Sequence, residues 1–165
     1  MRITIYGLEL NKDGQAVLVK ERSKNYPSLY QLDHPERIKI LFDDLFHAEC
    51  KAEEYIWMLA MDHGCRALGI FEIAHGTVNS AVVSPREVFV RLCLIGAVNF
   101  ILVHNHPSDI LTPSKEDIKL THRMKECGEL MNIPLFDHII IGDGYYSIME
   151  NKIRMLEEKW EGTEI

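Results

Sequence analysis

The sequence predicts an α/β fold in which helices lie beside a largely covered central sheet. Three observations carry this reading. The apolar runs YIWMLAMD (55–62), AVNFILVH (97–104) and LFDHIIIG (135–142) are too continuous for a half-wetted sheet and read as strands covered on both faces. Segments with helical spacing of apolar residues separate them. The chain has 165 residues, of which 47% are hydrophobic, enough for one sizeable core and a single main domain.

Taken in order, ITIYGLEL (3–10) alternates as a strand, NKDG is a turn, and QAVLVK (15–20) is the hairpin partner. The polar stretch ERSKNYPSLYQLDHP (21–35) is broken by two prolines and reads as linker or irregular loop. Residues 1–35 are therefore expected to form a hairpin-and-loop extension, and residues 36–165 the main domain. A helix begins at Pro35, since proline is tolerated in a first turn, and runs to near Ala48 with Ile38, Leu41, Phe42 and Leu45 on its apolar stripe. YIWMLAMD and CRALGIFEIAHG (65–76) are neighbouring strands about the turn at DHGC.

After GTVNSAVV (76–83), Ser84-Pro85 opens a helix with Val88, Leu92 and Ile95 on one side, ended by Gly96. The strand AVNFILVH comes next, then a helix from near Pro113 to Leu130 striped by Leu120, Met124, Cys127 and Met131. LFDHIIIG is a further core strand, DG a turn, and YYSIME (145–150) an edge strand. NKIRMLEEKW (151–160) closes the chain as a short helix that buries Ile153, Leu156 and Trp160.

Charge and cysteine usage exclude some classes. Twenty-five acidic against 18 basic residues give a net charge of -7, which offers no support for a broadly basic nucleic-acid surface. The first residues form no long apolar run, so neither a signal peptide nor a membrane span is expected, and the reading is cytoplasmic with no membrane partner. Cys50, Cys65, Cys93 and Cys127 form no CxxC pair and read as reduced thiols.

The chemistry concentrates at HNHPSD (104–109), where an apolar strand ends. In extended backbone His104 and His106 project to the same side, and two imidazoles converging there suit a metal ion. Asp117, in the first turn of the next helix, can face the same crevice. Two nitrogens and one carboxylate, with water as fourth ligand, are a known catalytic zinc set. A competing reading makes Ser114 and Asp117 a helix cap, and Thr112-Pro113 offers a rival helix start. A hydrolytic site also needs a carboxylate to take a proton from water. Glu53, Glu54 and Glu72 are candidates between which spacing does not choose. His138, set among apolar residues, reads as a hydrogen-bonded core histidine with Asp137 as its orienting partner.

The run HNHPS followed by TPSKED (112–117) and LFDHIIIG, with GTVNSAVVSPREVF (76–89) before them, resembles the RadC-like branch of the JAB/MPN (JAMM) metalloprotease family. Its pattern of HxHP, six residues, then SxxD is matched by His104, His106, Pro107, Ser114 and Asp117, and the similarity extends over residues 36–150. The resemblance implies a JAB/MPN-like mixed sheet flanked by helices, related in layout to the cytidine deaminase-like fold. It implies Zn2+ held by His104, His106 and Asp117. EYIWML is similar to the family's early EFxxLL-like strand, which assigns the proton-accepting role to Glu54. Ser114 looks like the serine that steadies the reacting water or the tetrahedral oxyanion. The implied reaction is zinc-dependent hydrolysis of a peptide, an isopeptide-linked protein or another amide. Two departures stand out: Asp109 occupies the usual glycine position, and a hairpin replaces the helical DNA-binding-like region that often precedes this domain.

Two other classes compete. The branch is commonly named for DNA repair, and Lys115, Lys119 and Arg123 fall four apart on one helix, which would allow local nucleic-acid contact. A noncatalytic peptide-binding scaffold would keep the fold and dispense with turnover.

Overall fold

Ile3 and Ile5 alternate to bury one side of the first strand, β1 (Arg2–Leu10), in the computed structural model, which describes residues 1–76 and 83–151. The other strands are β2 (Ala16–Asn25), β3 (Glu54–Met61), β4 (Ala67–Gly76), β5 (Asn99–Asn105), β6 (Leu135–Ile141) and β7 (Tyr145–Ser147). They form one sheet in the order β2-β1-β4-β3-β5-β6-β7. β1 lies parallel to β4 and β5 parallel to β6, while the remaining neighbours are antiparallel. The chain thus has an α/β fold with a mixed central sheet, and helices flank both faces.

Side-chain alternation in the central strands explains why both faces are covered. Trp57, Leu59 and Met61 of β3 and Ile101 and Val103 of β5 join Ile38, Leu41, Phe42 and Leu45 of helix α1 (Pro35–Phe46) in one buried cluster. Ile56, Met58, Ala60, Phe100 and Leu102, one residue out of phase, join Val88, Phe89 and Leu92 of α2 (Pro85–Ile95) and Leu120 and Met124 of α3 (Lys115–Met131) in a second. Residues such as Leu59 and Leu102 are fully buried, and each such side chain contributes about 1.5–3 kcal/mol. Two-sided burial gives β3 and β5 a fixed register, so whatever stands at their ends is fixed too.

Several boundaries differ from the sequence reading. β2 runs on to Asn25, so ERSKN is strand and not linker: residues Arg2 to Ile5 of β1 pair with Asn25 to Arg22. Its charged side chains suit an edge strand, with Arg22 donating to Leu45 O at 2.8 Å and Lys24 paired with Asp44 at 2.7 Å. YYSIME is strand only as far as Ser147, and residues 148–151 are helical. Asp137 accounts for the change, because its carboxylate accepts the Ser147 hydroxyl at 2.6 Å and the Met149 N–H at 3.2 Å. Met131, expected on the buried stripe of α3, is 45% exposed because the helix ends there, with Asn132 left-handed at φ 55°. The closing helix expected over 151–160 lies beyond the described residues except for its first position, as do residues 77–82 of GTVNSAVV. All four cysteines are free. Among the described residues no helix is long and apolar enough to cross a membrane.

Candidate metal centre

The end of β5 carries His104, which is 2% exposed. His104 has the parity of Phe100 and Leu102, so its ring lies on the sheet face that α2 and α3 cover. The N-terminus of α3 brings Asp117 to the same place. Asp117 Oδ1 stands 3.0 Å from His104 Nδ1, and Asp117 Oδ2 stands 3.4 Å from His106 Nε2. The His106 Nδ1–H donates to the Ile110 carbonyl at 2.6 Å, which leaves the Nε2 lone pair of the neutral ring facing the site. The two imidazoles meet edge to face, with centroids 4.7 Å apart.

β3 brings the third element. Glu54 begins that strand, and its Oε2 lies 3.8 Å from His104 Nε2 with the side chain 37% exposed. Donor atoms of Glu54, His104 and His106 all lie within 4.8 Å of one another, so the three form a group able to hold a metal ion. Of the other candidate carboxylates, Glu53 is exposed, and Glu72 is exposed on β4 beside His75 at 3.3 Å, opposite Trp57 in register. The fold thus separates three glutamates that spacing alone leaves equivalent.

The residues present fit a metal. Both ring nitrogens of His104 are buried and neither makes a well-aligned hydrogen bond, although Asp117 Oδ1 stands 3.0 Å from Nδ1. Nε2 has only Glu54 Oε2 at 3.8 Å, a costly state for an imidazole unless something else occupies a lone pair. Burial would raise the Asp117 carboxyl, yet the two imidazoles and Ser114 beside it hold it well below the usual carboxylate range. Asp117 raises His106 in turn, against the opposing effect of burial. Glu54, His104 and His106 thus offer donors to one metal ion, while Asp117 stands against the other ring nitrogen of His104 and beside His106.

The same four side chains can be placed among known proteins. A profile described as the RadC-like JAB domain matches residues 32–153. The chain belongs to the RadC-like JAB domain family. It is 46% identical over 105 residues to a UPF0758 protein of Pelobacter propionicus, covering 62% of this chain and 46% of that one. It is 32% identical over 155 residues to one from Clostridium tetani (91% and 67% covered) and 39% identical over 150 residues to one from Staphylococcus haemolyticus (87% and 64%). The chain spans about half to two thirds of the length of these relatives.

In this RadC-like JAB domain Ser114 is the N-cap of α3, so the helix does not start from Thr112-Pro113. Its hydroxyl accepts the Asp117 N–H at 3.1 Å and donates to Asp117 Oδ2 at 2.7 Å, and its own N–H donates to the same oxygen at 2.8 Å. Cap and metal-facing carboxylate are therefore one residue pair, and the two sequence readings of Asp117 are compatible. Asp109, in the position that resembles the family glycine, has a left-handed backbone at φ 56°, and its N–H closes a turn on the His106 carbonyl at 3.0 Å. Aspartate tolerates that conformation better than most residues.

His138 is fully buried in the core, but Asp137 does not orient its ring. Thr121 Oγ1 stands 2.7 Å from His138 Nδ1, while Asp137 accepts the His138 backbone N–H. Thr121 escaped the sequence reading because its partner is 17 positions away on another element. Asn105 escaped it as well, as the unremarked middle letter of HNH. A buried asparagine at a strand end was the available signal, since both halves of its amide need partners.

Proposed function

We propose that this domain is a zinc-dependent hydrolase of amide bonds, acting on a peptide, an isopeptide-linked protein or a smaller amide. The observation that supports it most is the gathering of Glu54, Asp117 and His106 around the buried imidazole of His104, with Glu54 at its Nε2 and Asp117 at its Nδ1. In this reading His104, His106 and Asp117 hold the ion. Zinc when bound would supply Lewis-acid polarisation of the scissile carbonyl and make water more acidic. Glu54, 37% exposed, takes one proton from the attacking water as the new C–O bond forms, and returns it to the amine nitrogen as the tetrahedral intermediate collapses and the C–N bond breaks. Ser114, whose residue is exposed, turns its hydroxyl proton from Asp117 to the oxygen of the tetrahedral intermediate. The helix-covered mixed sheet also supports reading the layout as related to cytidine deaminase-like folds.

The competing nucleic-acid reading has less support. Lys115, Lys119 and Arg123 are exposed, but Lys119 lies 3.8 Å from Glu116 and the chain is acidic overall, as on a solvated helix face. The test is cleavage of a mixed peptide library by zinc-loaded protein, read by mass spectrometry. Cleavage should stop after chelation and in Glu54→Gln, with both samples still folded. Unchanged turnover in either, with metal absence verified in the chelated sample, sinks the assignment.

A further inference from the structure

The backbone ladder between β3 and β5 reaches Ile56 opposite His104 and goes no further. At the next step a side chain takes over. Asn105 Oδ1 accepts the Tyr55 N–H at 2.7 Å, and Asn105 Nδ2 donates to the Glu53 carbonyl at 3.0 Å. Those two backbone groups flank Glu54. Asn105 is 1% exposed, so both ends of its amide need partners, and it finds both on the single segment that carries the glutamate. On the other side the strand end is pinned to β6, where the His106 N–H donates to the Ile141 carbonyl at 2.8 Å.

We propose that Asn105 is a positioning residue for Glu54: by clasping Glu53 O and Tyr55 N, it sets where the Glu54 carboxylate stands relative to His104 and His106. The middle letter of HNH thus ties the end of β5, between the two histidines, to the backbone on either side of the glutamate. The carboxamide offers a donor and an acceptor on separate atoms side by side, which lets it reach both backbone groups at once. Aspartate would lose the donor to Glu53, and leucine would lose both groups. Placement matters here because a misplacement of about 1 Å at reacting groups can cost on the order of a hundredfold in rate. The proposal rests on the hydrolase reading only in giving Glu54 a proton to move, and its test needs no substrate.

The experiment is a double-mutant cycle on Co2+ affinity, read from the visible absorption of the bound ion. Asn105→Ala and Glu54→Gln should each weaken binding by roughly tenfold, the scale of outer-shell partners at metal sites. The double variant should be no weaker than the weaker single one, because removing the carboxylate leaves Asn105 nothing to position. Losses that multiply to about a hundredfold would mean that Asn105 acts on the histidines or on the fold at large, and would overturn the proposal. An affinity unchanged in Asn105→Ala would overturn it equally, as would a loss in Asn105→Ala with none in Glu54→Gln. Hydrogen exchange at the Tyr55 amide should quicken in Asn105→Ala while the Met58 and Ala60 amides stay protected. If the alanine variant does not fold, Asn105→Gln, which carries the same amide one methylene further out, enters the same cycle. Absence of peptide cleavage by wild type would remove the hydrolase reading and leave this coupling measurable, whereas multiplying losses would remove the coupling and leave cleavage standing.

Discussion

Thr121 and His138 are hydrogen-bonded in the core between α3 and β6, Oγ1 to Nδ1 at 2.7 Å. The Thr121 hydroxyl has one proton and donates it to the Asp117 carbonyl at 2.7 Å, so His138 must be the donor between the two. Burial pushes the His138 imidazole down to about 3, and the neutral ring therefore carries its proton on Nδ1. His138 thus braces the first turn of the helix whose Asp117 faces the candidate metal centre.

Thr121→Val keeps the shape and strands a buried N–H, so it should destabilise the domain by about 1–3 kcal/mol. Thr121→Ser keeps the hydroxyl and should recover most of that loss. Urea unfolding of the two variants decides it, and equal stability of the valine and serine forms would show that the hydrogen bond has no such role.

Metal binding should appear as stability. Free zinc at a hundred times its dissociation constant should stabilise the folded chain by about 2.7 kcal/mol, seen as a rise in Tm that a chelator reverses. His104→Ala and Asp117→Ala should each lose the rise. A Tm that ignores zinc in the wild type would remove the metal centre.

Asp137 should give the domain an acid-side pH dependence. Burial lifts its carboxyl to about 6 although Ser147 and two backbone N–H groups donate to it. The unfolded value is near 3.8. A carboxyl raised on folding stays protonated in the folded chain while the unfolded chain ionises, so its contribution to stability falls as pH rises from about 4 to 6 and levels off above that. Wild type measured against Asp137→Asn should lose on the order of 3 kcal/mol across this window. A difference that is flat with pH, or that grows with pH, would contradict the assignment.

Asp109 and Gly142 should be coupled. A Cβ on Gly142 would meet Leu111 Cδ2 at 3.0 Å and Asp109 Oδ1 at 3.1 Å. Asp109→Gly removes one of those atoms and suits the left-handed backbone, so its stability should stay within about 1 kcal/mol of wild type, whereas Asp109→Val should cost about 1–3 kcal/mol. Gly142→Ala should cost less in the Asp109→Gly background than alone, measured as a double-mutant cycle. Purely additive losses would show that the two residues do not share that space.

The apolar runs by themselves determined the covered strands, because burial on both faces demands continuous hydrophobic sequence, and the spacing of Ile38, Leu41, Phe42 and Leu45 determined α1 in the same way. His104 and His106 were legible as a converging pair because alternation in a strand is a local rule. HxHP and SxxD carried the family. Tertiary structure alone decided what depends on elements far apart in the chain. Register set Glu54 near His104 and Glu72 opposite Trp57, a distinction that no spacing along the sequence contains. It also decided that ERSKN is a strand, since an edge strand of polar residues looks like loop until a partner such as β1 pairs with it. Asn105 marks the boundary most sharply. Its identity is local, but its two partners lie 50 and 52 positions away, and a hydrogen-bonding requirement names the kind of partner without naming which one.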